Sequence, residues 1–284
     1  MRALITGVTG QDGSYLAEQL LADGHEVLGM LRRANAQTPG RPVWGDLLDQ
    51  DSIERALIRY EPDVVFNLAA VTSPGGGWGK PQPPLLADVT GVGVVRLLEA
   101  MTNVAPDAKL VHASSSAVYD THRYGLYGAA KGFAHDAVVG YRGELWTANA
   151  VLFSHTSPRQ DPRFLIRRIC AAVSQGRPLV LGDVDSRRDW GYAPDFCRAL
   201  RLIAEQDQPG DWVVRSGKQH SVREVVEMAL TLKGLPWAEV VSIDPDLPQV
   251  PDEDVAPPDR DVTELGWTHE HDLAQVVEVL VESS

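Results

Sequence analysis

Tyr127 and Lys131 stand four residues apart in a stretch patterned as a helix, so their side chains share one face. A phenol in water titrates near ~10, and an adjacent ammonium stabilises its phenolate, so such a pair can give or take a proton close to neutral pH. One short strand upstream, Ser114, Ser115 and Ser116 offer hydroxyls, and Ser115 is the candidate to hydrogen-bond a substrate oxygen that passes between alcohol and carbonyl. Ser115, Tyr127 and Lys131 are therefore the catalytic candidates, for proton transfer coupled to hydride transfer. The Tyr-x-x-x-Lys spacing recurs by chance on protein surfaces; its weight here comes from what precedes it.

Gly7, Gly10 and Gly13 follow an apolar strand and open a helix that carries Leu16, Leu20 and Leu21 on one face. Glycines so placed allow a tight turn and let a pyrophosphate approach the free amides at the helix N-terminus. Gly7, Thr9, Gly10, Gln11, Asp12 and Gly13 are thus candidates for holding a nicotinamide dinucleotide. The second strand ends in Arg32-Arg33, where an NAD site carries an acidic side chain for the ribose hydroxyl. A guanidinium binds a 2′-phosphate bidentately, so NADP is expected over NAD, against the plainer possibility of two solvated arginines. Asp46 and Leu47 are candidates for the adenine. Leu68, Ala69 and Ala70 after the fourth strand and Leu152 near the end of the sixth, with Tyr127 and Lys131 themselves, complete the cofactor set.

These residues need a scaffold, and the first half of the chain supplies a pattern for one. Apolar runs at 3–6, 26–30, 43–44, 63–68, 109–113 and 148–153 alternate with helical patterns at 14–22, 52–60, 85–101 and 127–139. Repeated strand–helix units predict an α/β fold with a Rossmann-like, doubly wound parallel sheet. After residue 153 the pattern becomes irregular, with helices at 162–174 and 195–205, a short strand at 212–215, a capping box at Ser221 and Glu224, and a Pro- and Asp-rich surface loop at 244–261. The expected division is a dinucleotide-binding domain over 1–158 and a mainly substrate-binding lobe over 159–284, with an interleaved boundary.

Composition narrows the partners. With 26 Lys+Arg against 39 Asp+Glu, the net charge of −13 repels a polyanion, so nucleic acid is not an expected partner. No apolar run reaches bilayer length and the first residues enter a strand directly, so a cytoplasmic protein without membrane contact is expected. The two cysteines, Cys170 and Cys197, lack the spacing of a metal site and are expected in the core; no metal is expected.

With these residues in place, the sequence resembles the GDP-mannose 4,6-dehydratases, within the extended short-chain dehydrogenase/reductase (epimerase/dehydratase) superfamily. The resemblance rests on residues 3–18, Arg32-Arg33, Gly45-Asp46-Leu47, Asn67-Leu68-Ala69-Ala70, Leu97-Leu98-Glu99-Ala100, Ser157-Pro158-Arg159, Arg188-Asp189-Trp190-Gly191 and His220-Ser221-Val222-Arg223-Glu224. It implies a nucleotide-sugar substrate, Tyr127 as base, Lys131 as its partner, Ser115 in place of the family's threonine and Arg188 as a diphosphate contact. It also implies that Arg159 and Arg32-Arg33 lie near the cofactor or a subunit interface, and that the protein is a homodimer or homotetramer. Ser116, Ser154, Arg159 and Arg188 are the substrate-side candidates.

The sequence departs from that family at three places. Ser114-Ser115-Ser116-Ala117 stands where the family has Ser-Thr-Ser-Glu, so the glutamate that takes the C5 proton and helps expel water is replaced by a methyl group. Ser154 replaces an asparagine, and the segment 250–255 lacks an arginine expected near the nucleotide. The changes cluster on the sugar side and spare the cofactor side. Hydride transfer at a hexose C4, as a 4-keto reductase or epimerase, needs only the serine, tyrosine and lysine. The alternatives are a true 4,6-dehydratase that recruits another acid, with Asp120 and Asp136 as candidates, and a non-catalytic dinucleotide-binding protein.

Overall fold

The computed structural model describes residues 1–33, 36–72, 83–247 and 259–284. Segment 250–255, with its missing arginine, lies outside the described residues. From the N-terminus the elements are β1 (Arg2–Thr6), α1 (Gln11–Ala22), β2 (Glu26–Leu31), β3 (Arg41–Trp44), α2 (Gln50–Tyr60), β4 (Val64–Asn67), α3 (Pro83–Ala87), a π-helical turn (Asp88–Val92), α4 (Gly93–Val104), β5 (Lys109–Ser115), a 3-10 turn (Ser116–Asp120), α5 (Gly125–Gly140) and β6 (Thr147–Leu152). They continue with β7 (His155–Thr156), α6 (Leu165–Ser174), β8 (Leu179–Leu181), β9 (Arg187–Asp189), β10 (Gly191–Tyr192), α7 (Ala193–Ala204), β11 (Gly210–Val214), β12 (Gln219–Ser221), α8 (Val222–Lys233), α9 (Trp237–Val240), β13 (Val241–Ile243), β14 (Arg260–Asp261) and α10 (Leu273–Glu282).

The main sheet has eight strands in the order β14-β11-β6-β5-β4-β1-β2-β3, and every pairing in it is parallel. Strand order reverses between β1 and β4, which places a crevice at their C-terminal ends. Alternation along β1 shows how the sheet is buried on both faces: Ala3 and Ile5 face a core with Leu16, Leu20, Leu200 and Ile203, whereas Leu4 faces one with Ile53, Leu57, Leu97 and Leu98. The first core lies under α1 and α7, the second under α2, α4 and α5. A third cluster, around Ile169, Val226, Trp190 and Leu280, joins α6, α8 and α10 into a smaller lobe.

Several expectations are revised. The strand at 212–215 belongs to the main sheet as β11, beside β6, because the chain returns from α6 through α7 to extend the parallel order. The helix at 85–101 is interrupted by the π-helical turn, and the Thr90 hydroxyl there accepts the Val71 amide at 2.9 Å. The capping box at α8 forms by half: Ser221 accepts the Glu224 amide at 3.1 Å, but the Glu224 carboxylate goes to His220 and Arg187. A reciprocal box caps α10 instead, between Asp272 and Gln275. Arg260 and Asp261, read as loop, form the edge strand β14. Cys170 and Cys197 are buried and free, and burial pushes both thiols up.

Candidate active site

The first turn after β1 is shaped by what will not fit there. Gly7 has φ +68°, and a Cβ on it would come within 2.8 Å of the Ala69 amide nitrogen. A Cβ on Gly13 would come within 2.4 Å of the Gly7 carbonyl oxygen. The turn therefore lies directly against the end of β4, and α1 starts close beneath it. Gly10, the N-cap, supplies no side-chain acceptor, so the first amides of α1 remain available to an anion. Thr9 and Gly10 are exposed, Leu68, Ala69 and Ala70 are half-buried beyond β4, and Arg32 and Arg33 are exposed at the end of β2. These residues fit a dinucleotide along the crevice.

Other predicted positions are placed less directly. The Asp46 carboxylate is engaged by the Leu48 amide at 3.0 Å, and Leu47 and Leu152 have their side chains in the apolar cores. Asp12 turns its carboxylate inward, to His155 Nε2 at 3.0 Å and Gln11 Nε2 at 3.1 Å, so its part in an anion site is its backbone amide. Burial pushes this carboxyl up, and His155, Gln11 and Lys131 together more than reverse the effect, holding it below its ordinary range.

Ser115 ends β5, and Tyr127 and Lys131 project from α5 beside it. The Ser115 hydroxyl accepts the Ala117 amide at 3.2 Å and lies close enough to the Tyr127 phenol to pull it down. Lys131 is buried, and its ammonium donates to the Ala113 carbonyl at 2.7 Å. Burial lowers Lys131 to about 8, with the Asp12 charge opposing the fall. The phenol does not follow the expectation that the ammonium draws it down. Burial pushes Tyr127 up, the Ser115 hydroxyl pulls it back in part, and Asp12 and Tyr124 add to the rise. Desolvation of the phenolate is the larger effect in the ligand-free crevice.

A polar ladder beneath this trio was not anticipated. Thr6, Asn67, His112 and Asn149 occupy paired positions on β1, β4, β5 and β6. The Ala69 amide donates to Thr6 Oγ1 at 3.1 Å, Thr6 donates to Asn67 Oδ1 at 2.6 Å, and Asn67 Nδ2 meets His112 Nδ1 at 3.0 Å. The order of donors leaves His112 accepting at Nδ1 and protonated at Nε2. Burial first, then Lys131 and His135, hold it neutral, well below its ordinary range. Single polar residues near the ends of otherwise apolar strands were the available signal.

On the substrate side, Ser116 is buried and Ala117 is 1% exposed, while Ser154 and Arg188 are half-buried. Arg159 is exposed and engaged by α1: it donates to Ser14 at 3.0 Å and Glu18 at 2.8 Å, and lies 3.9 Å over the Tyr15 ring. Asp120 is exposed at the end of the 3-10 turn and accepts the Arg123 amide at 3.2 Å. Asp136 is exposed on α5, about 140° around the helix from Lys131, so it faces away from the Ser115–Tyr127 pair. Among the described residues the one cluster with metal-ligand geometry, Asp195, Glu270 and His271, is closed by Arg198 at 2.6 Å and two backbone amides at 3.0 Å. It does not fit a cation.

A doubly wound parallel sheet with a glycine turn after β1 and a Ser–Tyr–Lys trio at the ends of β5 and α5 defines the extended short-chain dehydrogenase/reductase class. Within that class the chain belongs to the GDP-mannose 4,6 dehydratase family, whose model matches residues 4–280. It is 37% identical over 263 residues to a GDP-mannose 4,6-dehydratase of Vibrio cholerae, covering 80% of this chain and 70% of that protein. It is 35% identical over 281 residues to GDP-mannose 4,6 dehydratase 1 of Arabidopsis thaliana, covering 85% and 77%. Among solved structures, MoeE5 in complex with UDP-glucose and NAD superposes with a TM-score of 0.84 at 26% identity, covering 100% of this chain and 98% of that one. The UDP-glucose 4-epimerase of Thermus thermophilus in complex with NAD gives 0.81 at 25% identity, covering 100% and 98%. No helix among the described residues is long and apolar enough to cross a membrane.

Proposed function

We propose that this chain binds NADP(H) and transfers a hydride at C4 of a nucleoside diphosphate hexose of the GDP-mannose type, as a 4-keto reductase or epimerase. The observation that carries the reading is Ser115 at the end of β5 placed close to the Tyr127 phenol, with Lys131 buried one turn further along α5, in a site whose neighbouring position 117 is a buried methyl group. The dinucleotide supplies or takes up the hydride. Tyr127 gives its hydroxyl proton to the carbonyl oxygen as it becomes an alcohol, or takes it back in the reverse direction. Ser115 hydrogen-bonds the same oxygen, and Lys131, one turn further along α5, returns a proton to the phenol. Expulsion of water from C5 and C6 needs a further acid and base, and Ala117 provides neither. Arg32 and Arg33 support NADP over NAD, because their exposed guanidiniums end β2, where a 2′-phosphate would lie.

The same reading carries assembly as a homodimer or homotetramer. Its support is an exposed apolar face: Leu126 and Phe133, two turns apart on α5, are 45% and 52% exposed, and Val92, which follows the Gly91 that lies against the Phe133 ring, is 42% exposed. A soluble cytoplasmic enzyme without nucleic-acid or membrane partners agrees with the net charge of −13. The second reading is a 4,6-dehydratase with a substitute acid, but Asp136 turns away and Asp120 is drawn into its own turn, which favours the first. NADPH oxidation by a 4-keto nucleotide sugar tests the proposal. Turnover that Tyr127→Phe abolishes supports it, and cofactor binding without turnover on any 4-keto nucleotide sugar supports a binding protein instead.

A further inference from the structure

Asp12 is the acidic side chain in the first turn of α1, the turn whose first amides remain available to an anion. A carboxylate there competes with any second anion, because both draw on the same amides and the same helix dipole. In this chain it is turned inward and engaged: Oδ1 lies 3.0 Å from His155 Nε2 and accepts Gln11 Nε2 at 3.1 Å. His155, at the start of β7, has its other ring nitrogen, Nδ1, 2.8 Å from the Phe153 carbonyl oxygen. A carbonyl oxygen only accepts, and so does an ionised carboxylate, whereas a neutral imidazole carries a single N–H. Both contacts are hydrogen bonds only when the ring carries both protons. The ring is held in that orientation by stacking on Phe196 at 4.6 Å, with 27° between planes. Its backbone is pinned as well: Gln160 Nε2 donates to the His155 carbonyl at 3.0 Å, and the Gly191 amide donates to the Ser154 carbonyl at 2.9 Å. Two residues on, Ser157 donates to Gln11 Oε1 at 2.8 Å, so the segment 154–160 grips the first two residues of α1.

We infer that His155 is a positioning residue for the dinucleotide: as an imidazolium it pairs with Asp12, holds that carboxylate away from the pyrophosphate and cancels its charge. The first turn of α1 then meets the ligand as a set of amides without a competing anion. The inference rests on the reading of the turn after β1 as the dinucleotide site. Around the pair stand Asp12 and Gln11 of α1, Phe196 of α7 beneath the ring, and Gly191 of β10 in register with His155. The Cys197 thiol of α7 donates to the Asp12 carbonyl at 3.2 Å, and Lys131 and Tyr127 of α5 are the other titratable groups whose charge reaches Asp12. Loss of the Nε2 proton would leave Asp12 as an unpaired carboxylate in the turn that receives the pyrophosphate. Dinucleotide affinity therefore falls as pH rises through the titration of His155.

The test is titration of the full chain with NADPH, read by its fluorescence, beside NMR of the ligand-free wild type carrying nitrogen-15 histidine. His155→Asn is expected to weaken NADPH about tenfold at pH 7 and to flatten the pH dependence of its affinity. The 2′-phosphate titrates near ~6 in every variant, so it drops out of the comparison. Adding Asp12→Asn to His155→Asn is expected to recover most of the lost affinity, because the carboxylate that His155 neutralised is gone. Packing alone predicts the opposite, a double variant that binds as weakly as the single one or more weakly. In the wild type, both ring nitrogens of His155 should be protonated at neutral pH. A ring protonated on one nitrogen would overturn the inference without any variant, which decides the matter if the variants fail to fold. Unchanged affinity in His155→Asn, or no recovery in the double variant, would overturn it too. Normal NADPH binding without turnover of any nucleotide sugar would remove the proposed reaction and leave the pair standing, whereas a wild type that binds no NADPH would overturn both.

Discussion

Lys131 illustrates how a functional side chain works against the fold that carries it. Its burial lowers it from 10.5 to about 8, so the unfolded chain binds the extra proton between those values. The cost to stability is therefore full below about 8 and fades as pH rises through the window to 10.5. Lys131→Met is expected to raise the unfolding free energy from urea titration at pH 7 by ~1–3 kcal/mol, after allowing for the lost bond to Ala113. Activity should fall at least ~100-fold. Measured near pH 10, the gain in stability should largely vanish. Arg32→Ala with Arg33→Ala is expected to weaken NADPH about ten- to a hundredfold while leaving NADH nearly unchanged, as read by cofactor titration. Ser115, Tyr127 and Lys131 were legible because their spacing and order along the chain mirror their order in space. The inward turn of Asp12 was not, since its partner His155 is 143 residues away and nothing local marks the pair.

At the scale of the element, the strand–turn–helix at the N-terminus is held by van der Waals exclusion. Gly13→Ala would drive a methyl to 2.4 Å from the Gly7 carbonyl, a contact no side-chain rotation relieves. A loss of ~1–3 kcal/mol in thermal or chemical unfolding is expected, with dinucleotide affinity reduced in the same variant. This turn was readable from glycine spacing, and the strands β1, β2, β4, β5 and β6 were readable from apolar runs that are buried on both faces. The break in the helix at Asp88–Val92 was not readable, because Thr90 answers to the Val71 amide, a tertiary partner. The place of β11 was missed for a related reason. Its residues have the pattern of any short strand, and only the return of the chain through α7 assigns it to the large sheet.

For the whole molecule, the apolar face of Leu126, Phe133 and Val92 predicts self-association. Sedimentation should show at least a dimer, and Phe133→Asp should yield monomer without lowering the unfolding temperature appreciably, since that ring is half exposed. The sheet and crevice make an enzyme of this class, and the site decides which reaction it runs. On the proposed reading, Ala117 is the residue on which that decision turns. The most direct measurement is to incubate the protein with GDP-mannose and NADP, and separately with the corresponding 4-keto-6-deoxy nucleotide sugar and NADPH, and to weigh the products by mass spectrometry. A gain of two hydrogens on the keto sugar, with no loss of water from GDP-mannose, is the result predicted. Loss of water from GDP-mannose would contradict the account and show that dehydration proceeds without a carboxylate at position 117.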